Sequence, residues 1–212
     1  MVRFFIIRHG ETAWNAGGKI QGHTDVELTE TGLEQAQLAA KRLQNEKIDL
    51  VYSSDLKRAS VTGEAIASLH GVPVITTPLL REACLGEWQG LTLREVAEKF
   101  PKEYEAYSRD SITNRPPGAE RLEDVIARCR QFLDEVIEKH PNSSLAVACH
   151  GGSVRGILAA AFRLGPELYR CVRLDNGGIT VLDITNNRPL LVSLNDTCHM
   201  TKQGIGNGAD SE

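Results

Sequence analysis

The sequence lacks three features that define other classes of protein: a long apolar run, cysteines at metal-binding spacing and an excess of positive charge. The apolar stretch Phe4–Ile7 stops at Arg8, so it is too short for a signal peptide or a membrane span. The five cysteines are far apart, odd in number and without a CxxC pair, and they indicate neither a disulfide framework nor a zinc site. A formal net charge of −4 gives no support for nonspecific binding of nucleic acid.

The composition is that of a globular protein with a sizeable core. Of the 212 residues, 41% are hydrophobic and 25% are charged, and a chain of this size needs no disulfide or metal to stabilise its fold. Unpaired thiols favour the cytoplasm as its location. We expect one domain over residues 1–201 and a flexible tail over residues 202–212, because the sequence ends in a polar run. We expect neither nucleic acid nor a membrane as a partner.

Strand and helix patterns alternate along the chain. Compact apolar runs predict buried strands over residues 3–7, 48–52 and 145–149. Apolar residues at three-to-four spacing predict helices over residues 32–46 and 122–140. Ser53-Ser54-Asp55 is predicted to open a helix that runs to about His70, and Gly151-Gly152-Ser153 is predicted to lead into one that runs to about Phe162. Thr29 and Thr31 are both candidate N-caps of the first helix, and Thr31 with Glu34 has the spacing of a capping box. A late antiparallel pair is predicted over residues 179–184 and 190–194.

This alternation predicts an α/β fold, a three-layer sandwich in which helices flank a mainly parallel central sheet. The region of about residues 83–118 supplies no central strand. Its helical stretch over residues 92–107 is broken by Pro101, which predicts two short helices. We therefore interpret this region as a helical and loop insertion that covers the edge of the sheet where the chemistry takes place.

The candidate site comes from the residues that follow each predicted strand, because ligands bind beyond the carboxyl ends of strands in open α/β sheets. Arg8 and His9 follow the first strand, and His150 follows the strand over residues 145–149. Arg58 comes shortly after the second. In a parallel sheet, two imidazoles and two guanidinium groups would meet at one edge.

This set of groups suits a phosphoryl group. Arginine offers forked donors that match phosphate oxygens, and a neutral imidazole is a nucleophile toward phosphorus. A second imidazole, if protonated, stabilises charge on the equatorial oxygens. Glycines at positions 10, 151 and 152 allow the backbone to approach closely, and the helix after Gly152 would present amide donors. The sequence contains neither GxxxxGK[ST] nor GxSxG, which excludes a Walker-type cradle and a serine nucleophile elbow.

Phosphoryl transfer also needs a proton donor for the leaving oxygen. We identify Glu82, in Leu80-Arg81-Glu82, as the best candidate, because a phosphate dianion raises the proton affinity of a neighbouring carboxyl group. Glu11 is the rival, since it stands beside the nucleophile, and Glu87 is a third choice.

Several separated motifs resemble the histidine phosphatase superfamily, the group of phosphoglycerate mutases and related phosphatases. The resemblance begins at Arg8-His9-Gly10-Glu11-Thr12 and extends to about residue 199. Its further pieces include Ser53-Ser54 through Arg58-Ala59, Leu80-Arg81-Glu82, Gly86-Glu87-Trp88-Gln89-Gly90 and His150-Gly151-Gly152.

The resemblance implies a role for each candidate residue. His9 would carry the phosphoryl group as a phosphohistidine, and Glu82 would be the acid and later the base. The residues that would hold the phosphoryl group are Arg8, Arg58, His150 and Gly151. The residues that would line the entrance and contact phosphate or substrate are Asn15, Gln21, Gly22 and Thr24. The family implies no metal and no cofactor, a small phosphorylated metabolite as substrate, and a possible homodimer.

The resemblance leaves two enzyme activities and one binding function to separate. The short segment between Glu82 and Pro116-Pro117-Gly118 is similar to the compact phosphatase branch, which favours hydrolysis over phosphoglycerate mutase activity. The candidate substrates are phosphoserine, α-ribazole phosphate, a phosphoglycerate-type ester or a broad range of esters. The ending Asn195-Asp196-Thr197-Cys198-His199 resembles the phosphoserine-directed branch. A binding protein that keeps the anion pocket is disfavoured because the motifs are complete.

Overall fold

The computed structural model describes residues 1–203, and residues 204–212 of the expected tail lie outside the described part. The strands are β1 (Val2–Arg8), β2 (Leu50–Ser54), β3 (Val74–Thr77), β4 (Ser144–Cys149), β5 (Ile179–Thr185) and β6 (Arg188–Asp196). The α-helices are α1 (Ala13–Ala16), α2 (Glu30–Leu43), α3 (Lys57–His70), α4 (Leu93–Lys99), α5 (Pro101–Arg109), α6 (Leu122–Lys139) and α7 (Gly151–Phe162). A short 3₁₀ helix, Cys198–Gln203, ends the described chain.

The strands form one six-stranded sheet in the order β3-β2-β4-β1-β5-β6. The first four positions are parallel to one another, and β5 and β6 add an antiparallel edge. The carboxyl ends of β1, β2 and β4 therefore point the same way. This confirms the mixed α/β fold and the mainly parallel sheet predicted from the sequence.

Helices cover both faces of the sheet, which gives the predicted three layers. Side chains alternate across β1, so that Phe4 and Ile6 join one core cluster and Phe5 and Ile7 join the other. The first cluster packs under α6 and α7, and the second packs under α2 and α3. No helix of residues 1–203 combines the length and apolarity that crossing a membrane requires.

The predicted insertion contains α4 and α5 and contributes no strand to the sheet. Pro101 is the first residue of α5, where it needs no N–H partner, and it separates the two helices. The insertion supplies one wall of the large cavity described below, through residues that include Leu85, Trp88 and Arg115.

Two local predictions were wrong. Ser53 and Ser54 do not open a helix: both are paired with Thr76 and Thr77 of β3, so β2 continues to Ser54 and α3 begins at Lys57. The amide of Lys57 donates instead to Asp25, a residue of a distant loop, at 2.8 Å.

Of the two candidate N-caps of α2, the structure selects Thr29. Its hydroxyl accepts a hydrogen bond from the amide of Gly32 at 3.0 Å, and α2 begins at Glu30 rather than at residue 32. The predicted capping box of Thr31 with Glu34 is therefore wrong, because Thr31 already lies inside the helix.

Candidate active site

The carboxyl ends of β1, β2 and β4 open into a cavity of about 510 Å³. Arg8 and His9 come from the end of β1, Arg58 from the first turn of α3, and His150 from the end of β4. The His9 and His150 rings lie 5.1 Å apart, centroid to centroid, at an angle of 64°. Both rings are buried. Because they are in contact, the fold brings together the imidazoles of two motifs that are far apart in the sequence.

His9 has a neutral ring with a defined tautomer. Its Nδ1 lies 2.6 Å from the carbonyl oxygen of Gly10, and since a carbonyl only accepts, Nδ1 carries the proton and Nε2 carries the lone pair. Burial, followed by the charges of Arg58 and Arg8, lowers the pKa of His9 well below its ordinary value. The ring therefore stays neutral at neutral pH, with its single proton on Nδ1.

His150 has the opposite tautomer. Its Nδ1 accepts a hydrogen bond from Nε of Arg58 at 3.2 Å, which places the proton on Nε2. Nε2 is buried and has no hydrogen-bond partner among the described residues. Burial and the charge of Arg58 lower the pKa of His150 well below its ordinary value. His150 is therefore a neutral N–H donor in the free protein, whereas the sequence analysis considered a protonated ring.

Arg58 is completely buried and fixed at three points. Besides the bond to His150, its Nη1 donates to the carbonyl of Thr24 and its Nη2 to the carbonyl of Gly22, each at 2.7 Å. Burial lowers the pKa of Arg58 to about 10, so the group remains a cation at neutral pH. Three of the five guanidinium N–H groups are used in these bonds, which leaves two for a ligand.

Gly22 and Thr24, the two predicted entrance residues that contact Arg58, differ in whether they line the cavity. Gly22 lines the cavity and has a positive φ of 53°, a conformation that favours glycine. Thr24 is absent from the described lining of the cavity and acts on the site through its carbonyl group, which orients Arg58.

Arg8 and Gly151 are neighbours in the cavity wall. Nη1 of Arg8 donates to the carbonyl oxygen of Leu174. A Cβ atom at position 151 would lie 3.7 Å from Nε of Arg8, so the start of α7 passes directly beside the guanidinium. The positive end of the α7 dipole faces the same space, which favours an anion there.

Glu82 lines the cavity with its carboxylate held by two backbone amides. Oε1 accepts from the amide of Ala83 at 2.8 Å, and Oε2 accepts from the amide of Gly152 at 3.2 Å. A Cβ atom at Gly152 would lie 2.1 Å from Oε1, so only glycine allows this approach.

The two rival carboxylates do not line the cavity. Glu11 instead accepts a hydrogen bond from the hydroxyl of Thr29 at 3.0 Å. Glu87 is exposed. Glu82 is the only carboxylate among the described lining residues.

Asn15 and Gln21 both line the cavity and are held by Thr12. Oδ1 of Asn15 accepts from the Thr12 amide at 3.1 Å, and Oε1 of Gln21 accepts from the Thr12 hydroxyl at 3.0 Å. Asn176 reaches the same wall and donates to the His9 carbonyl at 3.0 Å.

Several residues of the site were missed by the sequence analysis. His23 and Arg128 hold the backbone of Glu82 in place. Both donate a hydrogen bond to the backbone carbonyl oxygen of Glu82, at 2.7 and 3.1 Å. Asn176, Tyr169 and Arg115 line the cavity but follow no parallel strand. The rule that places ligands after strands could not find them, and no motif marks them.

The family comparison agrees with this geometry. Residues 4–197 match the histidine phosphatase superfamily (branch 1). The chain belongs to this superfamily. The matched span begins in β1, contains every residue described above as lining the cavity, and ends just beyond β6.

Relatives within the superfamily act on small phosphate esters. The chain is 37% identical over 204 residues to phosphoglycerate mutase-like protein 4 of Arabidopsis thaliana, covering 94% of this chain and 87% of that one. It is 32% identical over 200 residues to phosphoserine phosphatase 1 of Hydrogenobacter thermophilus, covering 94% and 95%. A mutant phosphoserine phosphatase from Entamoeba histolytica, solved in complex with phosphoserine, superposes with a TM-score of 0.84 at 29% identity, covering 94% and 100%.

These relatives identify the chain as a phosphomonoester hydrolase, a histidine phosphatase for small metabolites. Phosphoglycerate mutase activity is the lesser alternative.

Proposed function

We propose that this histidine phosphatase hydrolyses its substrate in two steps, through a phosphohistidine on His9. The observation that carries the proposal is the tautomer of His9, whose Nδ1–H···O bond to Gly10 leaves the Nε2 lone pair for attack. The nucleophile lies against a second imidazole and a buried guanidinium, both of which suit phosphate oxygens.

In the first step, Nε2 of His9 forms a bond to phosphorus while the bond from phosphorus to the leaving oxygen breaks. Glu82, entering in its protonated form, gives its proton to the leaving oxygen, so the product departs as a neutral alcohol. The Nδ1–H bond to the Gly10 carbonyl stabilises the positive charge that develops on the ring.

The transferring phosphoryl group is stabilised by donors that are already in place. Nε2–H of His150 is buried without a partner among the described residues, and a phosphoryl oxygen would satisfy it. Arg58 contributes its two remaining N–H groups, and the cation of Arg8 lines the same cavity. Because Thr24, Gly22 and His150 fix Arg58 in advance, the site needs little reorganisation during the reaction.

In the second step, the Glu82 carboxylate takes a proton from water, and the resulting hydroxide attacks phosphorus and releases His9. Phosphate then leaves. Glu82 keeps the proton that it took from water and is ready to donate it in the next cycle. The steps use only side chains and water, so the proposed route involves neither a metal nor a cofactor.

Phosphoserine is the first candidate substrate, because phosphoserine phosphatases occur among both the sequence relatives and the structural neighbours. The α-ribazole phosphate and phosphoglycerate-type esters remain further candidates, supported by other structural neighbours. The second candidate activity is mutase, favoured by the 37% identity to a phosphoglycerate mutase-like protein. The location and assembly predicted from the sequence, the cytoplasm and a homodimer, are part of the same proposal.

The test is the release of phosphate from p-nitrophenyl phosphate in excess chelator, by the wild type and by His9→Ala. We expect activity in the wild type and a loss of roughly 10³-fold or more in the variant. Rapid acid-free quenching of the wild type should trap an acid-labile phosphate on His9. The matched control is His70→Ala, at the end of α3 outside the cavity lining, which should retain wild-type activity.

Two outcomes would contradict the proposal. One is wild-type turnover in His9→Ala, and the other is a phosphate trapped on a different residue. Isomerisation of phosphoglycerates faster than release of phosphate would instead identify the mutase.

A further inference from the structure

Two polar side chains near the end of the described chain have no part in the proposed mechanism. Asn195 lies near the end of β6, and His199 lies in the 3₁₀ helix that follows it. Neither residue lines the cavity described above. Both contact residues 174–178, which precede β5 and which we call the brace loop.

The brace loop holds the backbone of the nucleophile. The amide of Gly177 donates to the carbonyl oxygens of both Arg8 and His9, at 3.0 and 3.2 Å. Nδ2 of Asn176 donates to the same His9 carbonyl at 3.0 Å. These bonds fix the main chain from which the His9 ring projects.

The brace loop also holds Arg8, the residue before the nucleophile. The Arg8 amide donates to the carbonyl oxygen of Gly178 at 3.2 Å, and Nη1 of its guanidinium donates to the carbonyl of Leu174. The main chain and the guanidinium of Arg8 are thus bonded to one loop. A shift of the loop would therefore move the phosphate-binding cation and the nucleophile together.

His199 holds the brace loop through Gly177. Nε2 of its ring lies 3.1 Å from the Gly177 carbonyl oxygen, and since a carbonyl only accepts, Nε2 carries the proton. Burial above all lowers the pKa of His199, so the ring is neutral at neutral pH. Gly177 is therefore bonded to the His199 ring through its carbonyl, and to the carbonyls of Arg8 and His9 through its amide.

Asn195 holds the same loop through Asp175. Its Oδ1 accepts from the Asp175 amide at 2.9 Å, and its Nδ2 donates to the Asp175 carboxylate at 2.8 Å. Asn195 has a positive φ of 50°, a conformation that asparagine adopts more readily than most residues other than glycine. A Cβ atom at Gly178 would lie 2.2 Å from Oδ1 of Asn195, so the two segments are in close contact.

From these contacts we infer that His199 and Asn195 are positioning residues for the phosphoryl transfer. They hold the brace loop, and the brace loop sets the positions of His9 and Arg8 relative to phosphorus. The inference rests on the proposed function, in which Nε2 of His9 must be aligned with the bond that breaks. A displacement of about 1 Å in a reacting group costs up to about 100-fold in rate.

Two other roles fit these residues less well. Direct contact with substrate requires a place in the cavity wall, which neither residue has. A purely stabilising role needs only apolar contact, and Met200 supplies it: Met200 is buried, and its Sδ would lie 3.0 Å from a Cβ atom at Gly177. The hydrogen bonds of the two positioning residues instead fix the orientation of a loop that is bonded to the nucleophile.

The first test removes the donor of His199 and then restores it. His199→Phe keeps a ring without an N–H group, whereas His199→Gln keeps an N–H group that reaches the position of Nε2. We expect kcat for p-nitrophenyl phosphate to fall about 10- to 100-fold in His199→Phe and to stay within about threefold of the wild type in His199→Gln. KM should change by less than about threefold in both variants, because Arg58 and His150 keep their own contacts.

The matched control is His70→Phe, the same substitution in a half-buried histidine at the end of α3. Nε2 of His70 has no hydrogen-bond partner among residues 1–203, and His70 lies outside the cavity lining. Its kcat should equal that of the wild type. Thermal unfolding shows whether each variant is folded at the assay temperature. Should His199→Phe not fold, Asn195→Ala repeats the test and should lower kcat in the same range.

A second measurement does not depend on turnover. Hydrogen exchange followed by NMR reports on the amides of Arg8 and Gly177, which donate across the contact between β1 and the brace loop. Exchange at both amides should be about 2- to 10-fold faster in His199→Phe and in Asn195→Ala than in the wild type, the change expected for the loss of a hydrogen bond. It should be unchanged in His199→Gln and in His70→Phe.

The outcomes separate this inference from the proposed function. Wild-type kcat in His199→Phe, or a loss of kcat that His199→Gln does not restore, overturns the positioning role even when His9→Ala is inactive as the proposed function requires. If His9→Ala keeps wild-type activity, the phosphohistidine mechanism falls and the exchange rates decide. Unchanged exchange at Arg8 and Gly177 in His199→Phe then overturns the positioning role, and faster exchange supports it.

Discussion

At the scale of single residues, the site depends on two buried histidines that stay uncharged. His9 supplies a lone pair and His150 an N–H, and both roles require a neutral ring. Burial lowers the pKa of each ring below 6.5, its ordinary value. The two rings therefore stay neutral in the folded protein at a pH where the same histidines take up protons in the unfolded chain.

This linkage predicts acid sensitivity. Below about pH 6.5 the unfolded chain binds more protons than the folded protein, so the free energy of unfolding falls as the pH falls. We expect a lower Tm at about pH 5.5 than at about pH 7.5, well above the range where carboxylates titrate. In His9→Asn the fall should be smaller, because one of the two rings is gone. The measurement is thermal unfolding of both proteins at both pH values, and an equal fall in the two would contradict the role given to His9.

The sequence could predict the phosphoryl half of the site but not the half that faces the leaving group. Arg8, His9 and His150 follow strands of a parallel sheet, so topology alone brings them to one edge. Thr24 acts through its backbone, and a backbone contact leaves no signature in residue type. Tyr169 lies after α7 in a 3₁₀ turn, and the packing of that turn over Gly156 places this residue in the wall of the cavity.

At the scale of secondary-structure elements, the assignment of Thr29 rather than Thr31 as the N-cap of α2 can be tested by substitution. Thr29 accepts from the Gly32 amide, whereas Thr31 lies inside the helix. Thr29→Ala should lower the free energy of unfolding by about 1 kcal/mol, since it leaves a helix amide without its partner. Thr31→Ala, the matched control, should change it by less than about 0.5 kcal/mol. Urea unfolding measures both, and a larger effect at Thr31 would show that the cap is misassigned.

The element boundaries that the sequence missed are those decided by partners far away in the chain. Ser53 and Ser54 have the residue type of helix caps, but pairing with Thr76 and Thr77 keeps them in β2. Helix α3 therefore begins at Lys57, whose amide donates a hydrogen bond to Asp25, a residue of a distant loop. Long periodic elements such as α6 were predicted within one residue, because the apolar stripe that defines them is local in sequence.

At the scale of the whole molecule, the sheet order is what makes the site. β4 is inserted between β1 and β2, so the His150 motif arrives beside both the His9 motif and Arg58. Three-layer packing could be predicted from the alternation of helices and strands, but the order of strands could not. That order follows from which pairs of apolar faces fit together, and the periodicity of one chain segment does not encode it.

The same architecture separates stability from chemistry, which can be tested in the core. Phe132 of α6 is buried against the sheet, with its ring 5.5 Å from that of Tyr52, centroid to centroid, and it does not line the cavity. Phe132→Ala should lower the free energy of unfolding by about 3–5 kcal/mol, a large share of the 5–15 kcal/mol typical of a domain. At 25 °C the fraction that stays folded should keep the wild-type KM for p-nitrophenyl phosphate, since the strand ends that hold the site remain paired. The control is Gln131→Ala, the exposed neighbour, which should change the free energy of unfolding by less than about 0.5 kcal/mol. A changed KM in Phe132→Ala would mean that the core beneath the sheet and the site at its edge are coupled, contrary to this separation.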